Sequence, residues 1–136
     1  MSKDLADLDY QRLLAFRTGL RRFLHWSEEK VESYGLTTSQ HQLLLAIRGH
    51  TDRRGPTVGE AAGYLLLRHH SAVGLVDRAE RAGLVRRHED SGDRRVVRLR
   101  LTSQGEGLLQ QLTSVHLEEM QRLAPRIQEL SQGLEP

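Results

Sequence analysis

The stretch "LVRRHEDSGDRRVVRLRLT", from Leu84 to Thr102, decides the fold class. Two short runs of alternating apolar and charged residues flank the polar segment "EDSGD", which is the pattern of a β-hairpin with one buried face. We predict one strand from about Leu84 to His88 and a second from about Arg95 to Leu101. Six arginines lie within this stretch. A hairpin that only completed a fold would not need so much like charge, so the pattern points to a polyanionic partner.

Helical patterns lie on both sides of the hairpin. A long amphipathic stripe predicts a first helix from about Asp4 to Tyr34, stopped by Gly35. "TTSQ" and "TVGE" are capping boxes that begin a second helix, reaching about Gly49, and a short third helix, "VGEAAGYLLL". After a turn near Leu67 and Arg68, "HHSAVGLVDRAERAG" predicts a fourth helix that ends at Gly83. The expected fold is therefore mainly α, with one small hairpin (α+β).

The last region is also helical, and it begins at Thr102 as a cap. Apolar residues between His116 and Leu134 are spaced alternately by four and three, as in a helix–helix seam. Pro125 interrupts this pattern and is expected to end one helix and begin another, because proline cannot donate to the helical hydrogen-bond ladder.

Charge is distributed unevenly along the 136 residues. Residues 1–47 carry six basic and six acidic side chains, residues 48–100 carry twelve arginines against seven acids, and residues 101–136 carry two arginines against five acids. The middle segment therefore has a net charge of +5, which suits a nucleic acid. The alternative is a merely solvated cationic face.

Several function classes are excluded or disfavoured by composition. The sequence has no cysteine, which rules out disulfides, thiol redox switches and cysteine-ligated zinc. No apolar run is long enough for a membrane helix, and "MSKDLADLDY" lacks the apolar core of a signal peptide, so we expect a soluble, cytoplasmic protein. We find no catalytic nucleophile–base pair, no phosphate-binding glycine loop and no paired carboxylates. The sequence therefore predicts no catalytic residues, no cofactor and no enzymatic activity.

A short helix, a tight turn and a longer helix followed by a hairpin form a winged helix-turn-helix pattern. In such units the second helix enters the major groove of DNA with its N-terminal residues, and a flexible wing tip can reach a minor groove. The predicted DNA-contacting residues are Arg68, His69, His70, Ser71, Val73, Gly74, Arg78, Arg86, Arg94 and Arg95. Asp93 is expected to orient an arginine rather than to touch DNA. Arg78 and Arg81 could instead pair with Asp77 and Glu80 within the helix.

The segment from Thr57 to Leu109 resembles the MarR family of winged-helix transcription regulators. The matching pieces are "LVDRAERAGLVRR", the Asp93–Arg95 element ahead of "LT", and "LTSQGEGLL"; "LTTSQHQLLLAI" is similar to the second helix of the family. The resemblance implies one domain over residues 1–136, in which residues 1–35 and 103–136 form dimerisation helices and residues 36–102 form the winged helix-turn-helix lobe. It further implies a homodimer on a pseudo-palindromic operator. Since the chain ends soon after Leu130, a smaller dimer interface is expected.

The resemblance also implies a small aromatic or phenolic effector, bound between the dimer helices and the DNA-binding lobe. Candidate pocket residues are Phe23, His25, Trp26, His41 and His116, with packing as the alternative role of Phe23 and Trp26. His25, Glu29, His41 and His116 could also form a metal site, although the sequence does not show that they converge, and no metal is predicted.

The predicted function is that of a sequence-specific regulator binding double-stranded DNA, a homodimeric repressor released by an effector. The alternative is a winged-helix module that binds proteins, or binds DNA without specificity, and has no effector response.

Overall fold

The computed structural model describes residues 4–132, and their side chains except those of residues 130 and 131. It is mainly helical, with one two-stranded antiparallel sheet, and this confirms the predicted fold class. The elements in chain order are α1 (Asp7–Ser33), α2 (Thr38–Gly49), α3 (Val58–Leu65), α4 (His69–Arg81), β1 (Val85–Glu89), β2 (Val97–Leu101) and α5 (Ser103–Ser131).

Local caps explain where the helices begin. The Thr37 and Thr57 hydroxyls accept hydrogen bonds from the backbone N–H groups of Gln40 and Glu60 at 3.1 Å, and both glutamine and glutamate side chains bond back. Thr102 caps α5 in the same way through the N–H of Gly105. All three predicted caps are confirmed.

The core joins the lobe to the two long helices. Leu43, Leu44, Val76, Leu84 and Leu99 are fully buried in one apolar cluster. Val31 of α1 and Leu109 and Leu112 of α5 belong to the same cluster. The C-terminal end of α1 and the N-terminal part of α5 are therefore packed into the lobe.

The prediction that Pro125 ends a helix is wrong, because α5 continues through it from Ser103 to Ser131. Proline lacks only one helical donor, the N–H that would bond to the carbonyl of Gln121. Both residues are exposed, so water can hydrate that carbonyl and the helix survives. Of the predicted seam, Leu134 and the side chain of Leu130 lie outside the described residues; Met120 and Ile127 are exposed and Leu123 is half-buried.

Candidate nucleic-acid interface

The turn between α3 and α4 is built on an unusual backbone conformation. Leu66 follows α3 with φ of 56°, in the left-handed region, and is exposed. The N–H of Leu67 bonds to the carbonyl of Ala62 at 3.0 Å, which closes the end of α3. Arg68 then serves as the N-cap residue of α4. α3 is two residues shorter than predicted because this turn begins at Leu66.

α4 has one buried and one exposed side. Ala72, Leu75, Val76 and Ala79 are buried against the core. Of the predicted contact residues, Arg68, His69, His70, Ser71 and Arg78 are exposed, and Val73 and Gly74 are half-buried. The structure therefore leaves the start of α4 open to a partner, with both adjacent histidines in solvent.

The hairpin carries further exposed arginines. β1 and β2 pair antiparallel, with Val85 opposite Leu101 at the base and Glu89 opposite Val97 near the tip. Arg86 and Arg94 are exposed, and the side chain of Arg95 is 90% exposed. The Arg95 guanidinium donates to both carboxylate oxygens of Asp93 at 3.1 Å. Asp93 thus pairs with an arginine of the tip, as expected from the sequence, and that arginine is Arg95.

Two of the hairpin arginines do not face solvent, contrary to the expectation that its arginines face phosphate. Arg87 donates to Asp77 at 2.7 Å and to Glu80 at 2.6 Å, so it joins β1 to α4. Arg78 and Arg81 therefore do not take those carboxylates as partners; Arg81 bonds instead to the backbone carbonyl of Asp77.

Arg98 is the second internal arginine. Its side chain is only 12% exposed, and it donates to Asp90 at 2.8 Å and to the carbonyl of Gly55 at 2.8 Å. Alternation along β2 predicts that Arg98 and Arg100 share a solvated face, and no sequence signal distinguishes them. Arg98 is covered because the loop before α3 pairs with β2 through a bridge between Thr57 and Arg98.

Hydrogen bonds lower the pKa of two carboxylates of the hairpin, Asp90 and Asp93. The pKa of Asp90 is lowered mainly by the hydrogen bond from Arg98, and to a smaller extent by the hydrogen bond from the Gly92 N–H. The bonds from Arg95 lower the pKa of Asp93. Both carboxylates are therefore committed to arginines within the wing.

The arrangement of these elements agrees with known proteins. A family model described as MarR family matches residues 34–96, which include α2, α3, α4 and β1. Over these residues the chain is similar to the MarR family.

Relatives and solved structures extend the likeness beyond the matched segment. The chain is 39% identical over 75 residues, 55% of its length, to "Transcriptional activatory protein BadR" of Rhodopseudomonas palustris, of which it covers 43%. It is 28% identical over 115 residues, 82% of its length, to "HTH-type transcriptional regulator PecS" of Dickeya dadantii, of which it covers 69%. The chain thus spans less than half the length of BadR.

MepR of Staphylococcus aureus, described as a transcription regulator of a multidrug efflux pump, is similar in structure. The two structures superpose with a TM-score of 0.71 at 25% sequence identity, and the match covers 82% of this chain and 80% of MepR. MepR in complex with DNA has a TM-score of 0.69 at 24% identity, covering 90% of this chain and 85% of MepR.

A cluster of rings lies where α1, α2 and α5 meet. Phe23 and Trp26 stack with centroids 6.0 Å apart, and His116 lies edge-on to Trp26 at 5.1 Å and tilted against His41 at 4.9 Å. Four of the five predicted pocket residues are therefore together. His25 is not among them, because it points to solvent and pairs with Glu29 at 2.9 Å.

Hydrogen bonds fix the orientation of the His116 ring. Its Nδ1 lies 2.7 Å from the Leu112 carbonyl, which can only accept, so Nδ1 carries a proton. Nε2 lies 2.7 Å from the Ser27 hydroxyl and accepts from it in the neutral ring. Burial, followed by repulsion from His116, lowers the pKa of His41, which favours the neutral form of the His41 ring.

The suggested metal ligands do not converge. His25 and Glu29 form their own exposed pair, while His41 and His116 contact each other. Over residues 4–132, no group of three or more His, Asp or Glu side chains is arranged to hold a metal ion. Within the same residues no helix is long and apolar enough to cross a membrane.

Proposed function

We propose that this chain is a sequence-specific transcriptional regulator that binds double-stranded DNA as a homodimer in the cytoplasm. The start of α4 enters the major groove, the wing tip lies at a neighbouring minor groove, and Arg86 contacts DNA from nearer the base of the hairpin. The residues proposed to contact DNA are Arg68, His69, His70, Ser71, Val73, Gly74, Arg78, Arg86, Arg94 and Arg95. The proposed function is binding without catalysis. BadR, PecS and MepR are named as regulators, and MepR has been solved with DNA, which supports the assignment.

The observation that carries the proposal is the division of the hairpin arginines. Arg87 and Arg98 are paired inside the lobe, so their charge is neutralised by protein carboxylates. Arg86 and Arg94 form no ion pair with the residues that the structure describes, and Arg95 is exposed and held by Asp93. Such exposed, partly oriented guanidinium groups suit DNA phosphates and the negative potential of a narrow minor groove.

Exposed apolar residues on the long helices support a dimer. The single chain leaves large apolar side chains of α1 and α5 in solvent: Leu8, Leu13, Leu14, Phe16, Leu20, Leu24, Leu117, Met120 and Ile127. An apolar surface of this extent marks an interface between proteins. We assign residues 1–35 and 103–136 to dimerisation, and residues 36–102 to the DNA-binding lobe, with two lobes facing one pseudo-palindromic operator.

Effector response is part of the proposal. Phe23 and Trp26 on α1, His41 on α2 and His116 on α5 join the dimer helices to the lobe. A planar aromatic or phenolic ligand that inserts among these rings has to separate the helices, and this would change the spacing of the two lobes. Because the operator half-sites are fixed, the new spacing lowers DNA affinity and releases a repressor.

Selection of bound sites from random duplex DNA tests the proposed function. We expect an enriched pseudo-palindrome that survives competition by excess random duplex; binding that the competitor abolishes would instead identify a non-specific or protein-binding module. A promoter–reporter assay then gives the sign of regulation. Repression is the expected result, although BadR is named as an activator.

Replacing Arg95 with alanine tests the wing contact. We expect weaker operator binding. The slope of log affinity against log salt concentration should become smaller by about 1 per wing, because one phosphate-facing charge is lost. Arg48→Ala is the matched control: it removes the same charge from a residue paired with Glu106 at the hairpin base. Affinity and slope that match the wild type in Arg95→Ala would contradict the assigned contact.

A further inference from the structure

The wing is held against the rest of the lobe by the loop before α3. A two-stranded hairpin alone is only marginally stable in water. Here the N–H of Leu99 in β2 bonds to the carbonyl of Pro56 at 2.8 Å, and the His88 ring lies 3.1 Å from the carbonyl of Arg54. The loop therefore flanks β2 as a third, short strand would.

A single buried carboxylate connects this loop, β2 and the wing tip. Asp90 is 6% exposed. Its Oδ2 accepts from the N–H groups of Gly92 and Asp93, both at 3.1 Å, and its Oδ1 accepts from Arg98 at 2.8 Å. Arg54 of the loop lies 3.5 Å from the same Oδ1. Removing this carboxylate would remove the one group that the loop, β2 and the tip backbone share.

Arg98 extends the connection to the loop backbone. Its guanidinium bridges Asp90 and the carbonyl of Gly55. Gly55 has φ of +93°, and a Cβ at this position would lie 2.2 Å from the Leu99 carbonyl oxygen. The loop thus approaches β2 closely at Gly55. The planar guanidinium of Arg98 connects this close contact to Asp90 near the wing tip.

The connection ends at the arginine proposed to meet DNA. Asp90 fixes the N–H of Asp93, and the Asp93 carboxylate holds both the N–H and the guanidinium of Arg95. Resting on the proposed function, we infer that Asp90 and Arg98 are positioning residues, which set where Arg95 lies relative to α4 and so contribute to operator selectivity without touching DNA.

Electrostatics and positioning predict opposite results for Asp90→Asn. If Asp90 acted only through its charge, removing a negative group near phosphates would strengthen binding to any duplex. If it positions the wing, the released tip has to be ordered upon binding, so operator affinity falls while non-specific affinity is equal or higher. The ratio of specific to non-specific affinity separates these two cases.

The experiment measures binding of the full-length protein to its selected operator and to a random duplex, by fluorescence anisotropy at fixed salt. We expect Asp90→Asn to lose about tenfold in operator affinity, the size of one arginine contact. Glu106→Gln, which removes the same charge from the Arg48 pair at the hairpin base, should change neither affinity. Operator affinity of Asp90→Asn that equals or exceeds the wild type would overturn the inference.

A double-mutant cycle with Arg95→Ala distinguishes positioning from a merely structural role. If Asp90 acts through Arg95, Asp90→Asn should cost less than about twofold in a protein that already lacks Arg95. Additive losses would overturn the inference, since they show that Asp90 acts independently of Arg95.

If circular dichroism shows that Asp90→Asn is unfolded, Arg98→Lys tests the inference instead. Lysine keeps the charge but cannot bridge two acceptors in a planar fork, so the same selective loss of operator affinity is expected, and its absence would refute the role of Arg98. A wild-type protein that selects no sequence would refute the proposed function itself, and the inference with it. A wild type that selects an operator, together with unaffected variants, would refute only the inference.

Discussion

The close approach of α5 to the start of the wing makes Gly105 a sensitive position. A Cβ built on Gly105 would lie 2.2 Å from the carbonyl oxygen of Leu84 and 3.1 Å from its carbonyl carbon, whereas real Cβ atoms essentially never come within 3.0 Å of such atoms. Alanine would therefore force the two backbones apart by about 0.8 Å, the difference between 3.0 and 2.2 Å. The same carbonyl accepts a hydrogen bond from the N–H of Thr102 at 3.0 Å, and the movement would strain that bond.

The size of the effect follows from three contributions. Overpacking of this kind costs about 1–3 kcal/mol, and weakening the Thr102 hydrogen bond costs up to about 1 kcal/mol. Alanine recovers about 1 kcal/mol, since it is the better helix former. We expect Gly105→Ala to lower the free energy of unfolding by about 2 kcal/mol, or the melting temperature by roughly 8 °C for a chain of this size.

Gly107 supplies the control two residues further along the same helix. A Cβ at Gly107 would meet nothing within 4 Å, so Gly107→Ala should raise the free energy of unfolding by about 0.5–1 kcal/mol through helix propensity alone. Urea denaturation at one protein concentration, fixed because a dimer's stability depends on concentration, measures both. A Gly105→Ala protein as stable as the wild type would refute the reasoning from the close approach.

Two further predictions concern the ring cluster. Burial and repulsion from His116 lower the pKa of His41 below its ordinary value of 6.5, so His41 binds a proton more tightly in the unfolded chain than in the folded one. The contribution of His41 to stability should therefore be full above about pH 6.5 and fall as the pH drops below it. A wild-type melting temperature that is as insensitive to acid as that of His41→Gln would contradict this prediction. If a hydroxybenzoate binds among the rings, the fluorescence emission of Trp26, the sole tryptophan, should change at the ligand concentrations that release DNA. The exposed His25 supplies the control, because His25→Ala should show the same change as the wild type. Tryptophan emission that is unaffected by a ligand that releases DNA would place the effector elsewhere.

Local signals in the sequence predict most of the secondary structure. A capping box involves residues only three apart, so Thr37 with Gln40 and Thr57 with Glu60 could be identified without knowledge of the fold. The alternation of Val97, Leu99 and Leu101 likewise identified β2. Pro125 shows the limit of such rules, because whether proline ends a helix depends on the surroundings of one carbonyl, which the sequence does not reveal.

The candidate site was predicted only where exposure follows from helical or strand periodicity. The exposed start of α4 follows from its buried residues, Ala72, Leu75, Val76 and Ala79. Arg98 could not be assigned in this way, because its partners are Asp90, eight residues away, and Gly55, 43 residues away. Pairings at such distances depend on how the loop before α3 packs on β2, and not on a local pattern.

The internal arginines also shape the charge that the lobe presents to DNA. Asp77 and Glu80 lie on α4, and unpaired carboxylates on a helix that enters a groove would repel phosphate. Arg87 neutralises both from β1 at 2.6–2.7 Å, and hydrogen bonds to these two carboxylates raise its own pKa above the ordinary value. The positive charge left exposed then lies at the start of α4, along the hairpin at Arg86 and Arg100, and at the wing tip, which includes the two places proposed to reach separate grooves. Under the proposed function, the high arginine content of the hairpin serves two purposes, since Arg87 and Arg98 pair with nearby acids and the exposed arginines remain available to attract DNA.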